Sequence, residues 1–281
     1  MANEQTDTAF DAACIQCDIA PGDVEGNFER IEVGLREAAE AGAQLMVLPE
    51  MWTTSFVDSY DDDLLDRAVR AETRVAALSA ELDCIIVGGG PARDGIGVSN
   101  RANVFDRGAA LGTYRKIHLF SPIAEHKRHV AGNRPLILDT RLGRLGVVLC
   151  YDLRFPELVR HYFVERCDVL LVPAQWPEAR ADHWRVLLRA RAIENQCYVI
   201  GCNRAGVEDG RHPNADHLLF PGDSRIVDPT GTVIAAGSGE AKPVLGHIEL
   251  RTVRSMRRIV PIAKDRRPEV YSQLWKTPEP D

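Results

Sequence analysis

The sequence predicts an α/β fold in a single domain, and three observations support this prediction. Segments with strand character alternate with segments of helical periodicity along the chain. Apolar residues make up 45% of the 281 residues and charged residues 27%, which is enough apolar side chain for a folded core. No stretch rich in Pro, Gly or Ser divides the chain. We therefore expect one domain over residues 1–281, with a core over about 10–271 and a C-terminal tail over 272–281.

The first half of the chain alternates strands with amphipathic helices. The first predicted helix has Phe28, Ile31 and Leu35 at helical spacing on one face. The next strand is wholly apolar and ends in a carboxylate, Glu50. In order, the predictions are a strand at 12–19, a helix at 27–41, a strand at 45–50, a helix at 72–82, a strand at 84–87 and a hairpin of strands 103–105 and 113–117.

The second half continues the alternation. Pro156 stands in the first turn of one predicted helix, where its missing N–H costs nothing. Asp182 is a candidate N-cap for the next helix. In order, the predictions are a strand at 144–150, a helix at 156–166, a strand at 168–173, a helix at 182–195 and strands at 198–202, 224–227 and 244–250.

Composition argues against several functional classes. The chain has 34 Lys+Arg and 41 Asp+Glu, so its net charge is 34 − 41 = −7, and a nucleic-acid binder would usually show a basic face. The aliphatic clusters are far shorter than the ~18 to 20 residues that span a bilayer. No secretory signal is visible, so a cytoplasmic location is expected. The seven cysteines are an odd number, which argues against a disulfide framework.

Three reactive side chains stand where apolar strands end. They are Glu50, Lys116 and Cys150. Ligands bind at the carboxyl ends of strands in open α/β sheets. A thiol there can attack, a carboxylate can move the proton, and an ammonium can stabilise an oxyanion. Taken singly, the same residues fit a solvated loop Glu, a surface Lys and a packed Cys, so spacing alone leaves both interpretations open.

Three segments containing these residues carry a family resemblance. They read LPE at 48–50, YRKIHLF at 114–120 and CYDLRFPE at 150–157. In that order they resemble the motifs of the nitrilase superfamily of carbon-nitrogen hydrolases, and the similarity extends from the first strand to about Tyr271. The resemblance implies a four-layer α-β-β-α sandwich. It also implies a homo-oligomer, commonly a dimer, with no metal and no organic cofactor.

The resemblance assigns a role to each matched residue. Glu50 is the implied general base, Lys116 the oxyanion stabiliser and Cys150 the nucleophile. A further Glu usually follows the Lys in this family, and Glu125 is the candidate here. We expect the backbone N–H of Tyr151 to help hold the oxyanion. Lys116 and the positive end of a helix opening near residue 156 are expected to favour the thiolate.

A later segment narrows the substrate class. PAQWPEAR at 173–180 is similar to the bacterial omega-amidase-like branch, which hydrolyses the terminal amide of 2-oxoglutaramate or 2-oxosuccinamate. Arg154, Arg180 and Arg204 are candidates for the distal carboxylate, because a guanidinium pairs with a carboxylate through two bonds. A structural ion pair is the competing interpretation for Arg154 and Arg204. Trp176 is the expected wall of the acyl pocket.

Two other functions remain open at this stage. The same three residues could serve an N-carbamoyl-amine hydrolase or a nitrilase with a different pocket. A non-catalytic interaction protein could keep the fold without turnover. The CxxC spacing of Cys14 and Cys17 is not expected to form a metal site, because residues three apart on a strand point to opposite faces.

Overall fold

The predicted alternation of strands and helices is present in the structure. The computed structural model describes residues 8–95, 97–212 and 215–274. Within these ranges the strands are β1 (Ala9–Ile15), β2 (Ala43–Val47), β3 (Ile85–Gly88), β4 (Pro91–Asp94), β5 (Gly97–Asp106), β6 (Ala109–Arg115), β7 (Leu136–Thr140), β8 (Gly143–Val147), β9 (Val169–Ala174), β10 (Tyr198–Asn203), β11 (Ala205–His212), β12 (Ala215–Pro221), β13 (Arg225–Val227), β14 (Val233–Ala236) and β15 (Pro243–Glu249). The helices are α1 (Val24–Glu40), α2 (Asp62–Glu81), α3 (Pro156–Val164), α4 (Ala181–Asn195), α5 (Leu250–Ile259), α6 (Ile262–Asp265) and α7 (Pro268–Leu274).

The strands divide between two mixed sheets and a separate hairpin. The first sheet has the order β15-β1-β2-β3-β5-β4, with β6 also paired to β5. The second has the order β14-β13-β10-β9-β8-β7. The central pairs β1–β2, β2–β3, β8–β9 and β9–β10 are parallel, and the outer pairs are antiparallel. The hairpin of β11 and β12 pairs with neither sheet among the described residues.

Three apolar clusters define four layers. Val87 of the first sheet and Leu171 of the second belong to the cluster between the sheets. Leu35 of α1 belongs to a second cluster on the outer side of the first sheet. Leu188 of α4 belongs to a third cluster on the outer side of the second sheet. This arrangement is the α-β-β-α sandwich that the family resemblance implies, and the predicted fold class is confirmed.

The sequence of strand β2 is continuously apolar because both faces of the strand are buried. Leu45 and Val47 point into the cluster between the sheets. Met46 and Leu48 point the other way, into the cluster beneath the helices. Successive side chains of a strand alternate between faces, so a strand covered on both sides needs apolar residues throughout. The strand ends at Val47, and Glu50 lies three residues further along the chain.

Helix α2 begins ten residues before its predicted start at residue 72. Asp61 is its N-cap, and the Asp61 carboxylate accepts a hydrogen bond of 2.8 Å from the Leu64 N–H. The acidic run over 61–63 has no assignment among the elements predicted from the sequence. It caps the helix and fills its first turn, where carboxylates are stabilised by the helix dipole.

Two further boundaries differ from the prediction. Helix α4 begins at Ala181 after a 3₁₀ turn, so Asp182 is not its N-cap. The Asp182 carboxylate instead pairs with Arg185 at 3.1 Å. Strand β1 runs from Ala9 to Ile15, not from 12 to 19, and the Gln16 side chain just after it donates to the carbonyl of Ser238 at 2.6 Å.

Five strands escaped the sequence analysis: β4, β7, β11, β12 and β14. Strands β4, β7 and β14 lie at sheet edges, and β11 and β12 pair only with each other in the described part of the chain. Such strands are partly solvated on both faces, so their residues show little alternation between apolar and polar. None of the helices described combines the length and apolar character that crossing a membrane requires.

Candidate active site

Two carboxylates and one ammonium form the base of the candidate active site. Lys116, directly after β6, donates from Nζ to Glu50 Oε1 and to Glu125 Oε2, each at 2.8 Å. All three side chains are at most 1% exposed. An ammonium has three donors, so one remains for a ligand after both carboxylates are bound.

Backbone and side-chain amides complete the bonds of the two carboxylates. Asn100 on β5 donates from Nδ2 to Glu50 Oε1 at 2.8 Å and to Glu125 Oε1 at 3.0 Å. The Phe120 N–H donates to Glu125 Oε2 at 2.7 Å. Charge-assisted bonds of this kind fix both carboxylates in place.

Cys150 stands above this cluster in a turn that follows β8. The 3₁₀ turn runs over Cys150–Arg154, and Cys150 itself has a φ of 42°. A residue other than Gly rarely adopts this left-handed conformation, and such strain is common at functional sites. The other six cysteines are buried, whereas Cys150 is partly exposed. Its Sγ donates to the Gln175 carbonyl at 3.9 Å, and Glu50 lies within hydrogen-bonding reach.

Burial and mutual charge set the protonation of the cluster. Burial raises the pKa of Glu50, although Lys116 opposes this shift. Burial acts to raise the pKa of Glu125 as well, but the Lys116 charge holds it below its usual value. Burial alone would lower the pKa of Lys116, yet Glu125 and Glu50 raise it well above its ordinary value. These shifts favour the charged forms of Lys116 and Glu125, and they make Glu50 the better proton acceptor of the two carboxylates.

The expected thiolate at Cys150 is not what the structure favours. Burial, and then the negative charge of Glu50, raise the pKa of the Cys150 thiol well above its usual value, and Lys116 only partly offsets them. Helix α3 begins at Pro156, and Cys150 is the first residue of the 3₁₀ turn that precedes it. A thiol with a raised pKa needs a neighbouring base before it can act as a nucleophile, and Glu50 lies beside it.

A pocket of about 670 Å³ opens over Cys150. Seven of the residues singled out in the sequence line it: Glu50, Lys116, Cys150, Tyr151, Arg154, Trp176 and Arg180. Glu125 does not line the pocket, and it is connected to it through its bond to Lys116. Trp176 is 3% exposed and donates from Nε1 to the Arg180 carbonyl at 2.8 Å. The Arg154 guanidinium lies 4.6 Å from the centre of the Trp176 ring.

The sequence profile of the carbon-nitrogen hydrolases matches residues 11–258, which includes every residue of this site. The chain belongs to the carbon-nitrogen hydrolase family. The match spans both sheets and the helices α1 to α4.

Several relatives of this carbon-nitrogen hydrolase are named as amidases. The 2-oxoglutaramate amidase of Bacillus subtilis is 35% identical, over 92% of this chain and 98% of that protein. The omega-amidase YafV of Escherichia coli K12 is 36% identical, over 80% of this chain and 84% of that protein. A crystal structure of a CN-hydrolase superfamily protein from Xanthomonas campestris has an arsenic adduct in its active site. It is 32% identical and superposes with a TM-score of 0.80, covering 92% of this chain and 97% of that one.

Sequence reasoning missed three side chains that hold the hydrolase site together: Asn100, described above, Gln175 and Asp152. Gln175, after β9, donates from its backbone to Glu50 Oε2 at 3.3 Å and from Nε2 to the Glu50 carbonyl at 2.9 Å. Asp152 accepts from the Tyr114 hydroxyl at 2.7 Å and from the His118 N–H at 2.8 Å, which joins the lysine segment to the cysteine turn. Asp152 lies two residues after Cys150, and this proximity in the sequence was the one feature that could have marked Asp152 as part of the site.

Arg204 is not a carboxylate ligand for substrate in this hydrolase. It is fully buried, and its guanidinium pairs with Glu208 at 2.6 Å and Asp18 at 3.2 Å. Those carboxylates occupy the donors that a substrate would need. The alternative interpretation, a structural ion pair, is confirmed. Elsewhere in the described ranges, no group of three or more His, Cys, Asp or Glu side chains is placed to hold a metal ion.

Proposed function

We propose that this hydrolase removes ammonia from the terminal amide of a small 2-oxo acid, 2-oxoglutaramate or 2-oxosuccinamate. One observation carries the proposal: Arg154 and Arg180 line the same pocket as Cys150, and neither has an ion pair in the described part of the chain. Guanidinium groups without a partner carboxylate suit a substrate that brings its own. The names of the relatives support the same substrate class.

Attack on the amide begins with proton transfer. Glu50 takes the proton of the Cys150 thiol as sulfur adds to the amide carbon. The third donor of Lys116 and the Tyr151 backbone N–H bind the oxyanion that forms. Glu125 keeps the Lys116 ammonium charged and directed at this position. A base next to the thiol removes the need for a standing thiolate, in agreement with the raised pKa of Cys150.

Ammonia then leaves and water completes the reaction. The tetrahedral intermediate collapses when Glu50 returns its proton to the departing nitrogen, and a thioester remains on Cys150. Glu50 next takes a proton from water, whose oxygen adds to the thioester carbonyl. The second intermediate releases the carboxylic acid and returns the proton to sulfur. The sum is amide plus water giving acid plus ammonia.

The pocket wall separates the reacting end of the substrate from its charged end. Trp176 lines the pocket, and its flat ring would form the apolar wall beside the methylene groups of the substrate. Arg154 stacks on that ring, and Arg180 lies with its Cζ 5.8 Å from the centre of the Phe120 ring. The substrate carboxylate would therefore bind at the arginines while its amide reaches Cys150.

We expect Arg180→Ala to raise KM for 2-oxoglutaramate about tenfold or more, since a hydrogen bond to a charged group contributes roughly 1.5 to 3 kcal/mol. KM for pentanamide, a neutral amide of the same chain length, should not change. Ammonia release measures both. Wild type is also tested on 2-oxosuccinamate, glutamine, asparagine, an N-carbamoyl amino acid and an aliphatic nitrile, and the oxo-acid amides should be hydrolysed best.

The matched control is Arg134→Ala, because Arg134 is an exposed arginine outside the pocket. Equal effects of Arg180→Ala on the charged and the neutral amide would contradict the carboxylate assignment. If the carbamoyl compound or the nitrile were hydrolysed best, the proposed substrate class would be wrong. Inactivity on every compound would favour an interaction protein.

We also propose that the hydrolase is a cytoplasmic homodimer. Helix α4 exposes Val186 to 65% and Ile193 to 44% on the outer layer of the sandwich, an apolar surface suited to a second copy. Light scattering should give twice the mass of one chain. A particle with the mass of one chain would contradict the dimer.

A further inference from the structure

Asn100 joins the two carboxylates of the site, and no step proposed above uses it. Both of its side-chain N–H groups are occupied, one by Glu50 Oε1 and one by Glu125 Oε1. Its backbone carbonyl accepts the Lys116 N–H at 2.9 Å. Asn100 is fully buried, so bulk water does not compete for these bonds.

The charges around Asn100 show what these bonds do. Glu50 and Glu125 share one cation, Lys116, so two carboxylates and one ammonium leave an uncompensated negative charge in a buried place. Two carboxylates that share a site raise the pKa of one of them. Hydrogen bonds donated to a carboxylate favour its ionised form. The Asn100 amide supplies two such bonds without adding a second cation.

We propose that Asn100 is a positioning residue, whose amide keeps Glu50 ionised and directed at Cys150. This inference rests on the proposed function through the role of Glu50 as the base. A Glu50 that has taken a proton from solvent cannot accept the proton of Cys150. Loss of the Asn100 donors therefore raises the pH below which Cys150 stops reacting.

Other groups near Glu50 do not obscure this pH dependence. Burial lowers the pKa of His129 to about 4 and raises the pKa of Tyr60, so both stay neutral across the mildly acidic and neutral range. Lys116 stays charged over the same range. The charged and titratable groups that act on Glu50 are Lys116 after β6, Glu125 in its 3₁₀ turn, Cys150 after β8 and Tyr60. His129 and Arg128 lie beside Glu125, and the arginine keeps its charge over this pH range.

The test is the rate of Cys150 alkylation by iodoacetamide as a function of pH, followed by mass spectrometry. We expect Asn100→Leu to shift the acid limb of this profile upward by about one pH unit. At a fixed pH on the limb, alkylation is then about tenfold slower. Alkylation does not depend on which amide is the substrate, so the result stands apart from the substrate panel.

Asn103→Leu is the matched control. Asn103 lies on the same strand, is buried, and donates from Nδ2 to the Glu72 carboxylate at 2.9 Å, away from the pocket. The Asn103→Leu variant should have the same acid limb in its alkylation profile as the wild type. The proposal is overturned if Asn100→Leu does not move the limb, or if Asn103→Leu moves it equally.

A second variant serves if Asn100→Leu does not fold. Asn100→Asp is nearly isosteric, and a third carboxyl replaces the donors with a group that repels Glu50 when ionised. It should move the acid limb upward at least as far as the leucine variant. An unchanged acid limb in folded Asn100→Asp would overturn the proposal.

Discussion

We expect Cys150→Ala to reduce ammonia release from 2-oxoglutaramate by about 10⁴-fold or more, as loss of a nucleophile does in other acyl-transfer enzymes. No other side chain of the base cluster can form the acyl intermediate, because Glu50 and Lys116 are engaged with each other at 2.8 Å. The protein should stay folded, since Cys150 is partly exposed and its removal leaves no closed cavity. Steady-state ammonia release and thermal unfolding measure the two effects.

Cys84→Ala is the matched control for this variant. Cys84 is buried ahead of β3 and does not line the pocket, so its loss should leave kcat unchanged. A rapid acid quench of wild type during turnover should reveal the mass of a thioester that Cys150→Ala lacks. Turnover by Cys150→Ala near the wild-type rate would mean that Glu50 activates water directly, and the nucleophile assignment would be wrong.

We expect Lys116→Met to abolish turnover and to lower the free energy of unfolding at neutral pH by about 3 to 5 kcal/mol. Removing one partner of a buried ion pair leaves an uncompensated charge, and here it leaves two, on Glu50 and Glu125. Denaturant titration measures the stability. The double variant Lys116→Met with Glu125→Gln should recover much of that stability and none of the turnover, which separates charge balance from chemistry.

The stability loss in Lys116→Met should depend on pH with a defined sign. Without the ammonium, the pKa values of Glu50 and Glu125 in the folded protein rise above those of the unfolded chain. Carboxyls with raised pKa values are tolerated when protonated, so the variant is least destabilised at acidic pH. It loses stability as pH rises through those raised values. A loss of the same size at acidic and neutral pH would show that the defect is one of packing.

Much of the fold could be predicted because its signals are local. The apolar run over 45–48 and the spacing of Phe28, Ile31 and Leu35 each occur within one element, and burial in the structure follows them. Strands β11 and β14 could not be predicted, because their partly exposed residues carry no such pattern. The start of α2 was missed because an acidic run reads equally as a cap or as solvated loop.

The residues of the site also fall into those that the sequence marks and those that it does not. Glu50, Lys116 and Cys150 are each marked by a strand end, and the structure brings them together. Asn100 and Gln175 carry no such mark, because their role comes from partners 50 and 125 residues away in the chain. The raised pKa of the Cys150 thiol could not be predicted from the sequence, because burial depends on the packed fold and has no local signature.

The hairpin of β11 and β12 supplies Glu208, Leu218 and Phe220 to the pocket wall while it pairs with neither main sheet in the described ranges. Arg204 ties its base to the sandwich through Glu208 and through the Phe220 ring, 4.3 Å from the guanidinium carbon. Within the described part of the chain, the hairpin therefore contributes to the pocket wall without belonging to either main sheet. Natural variation or directed evolution can diversify the hairpin, and with it the range of amides accepted, without redesigning the chemistry or the core.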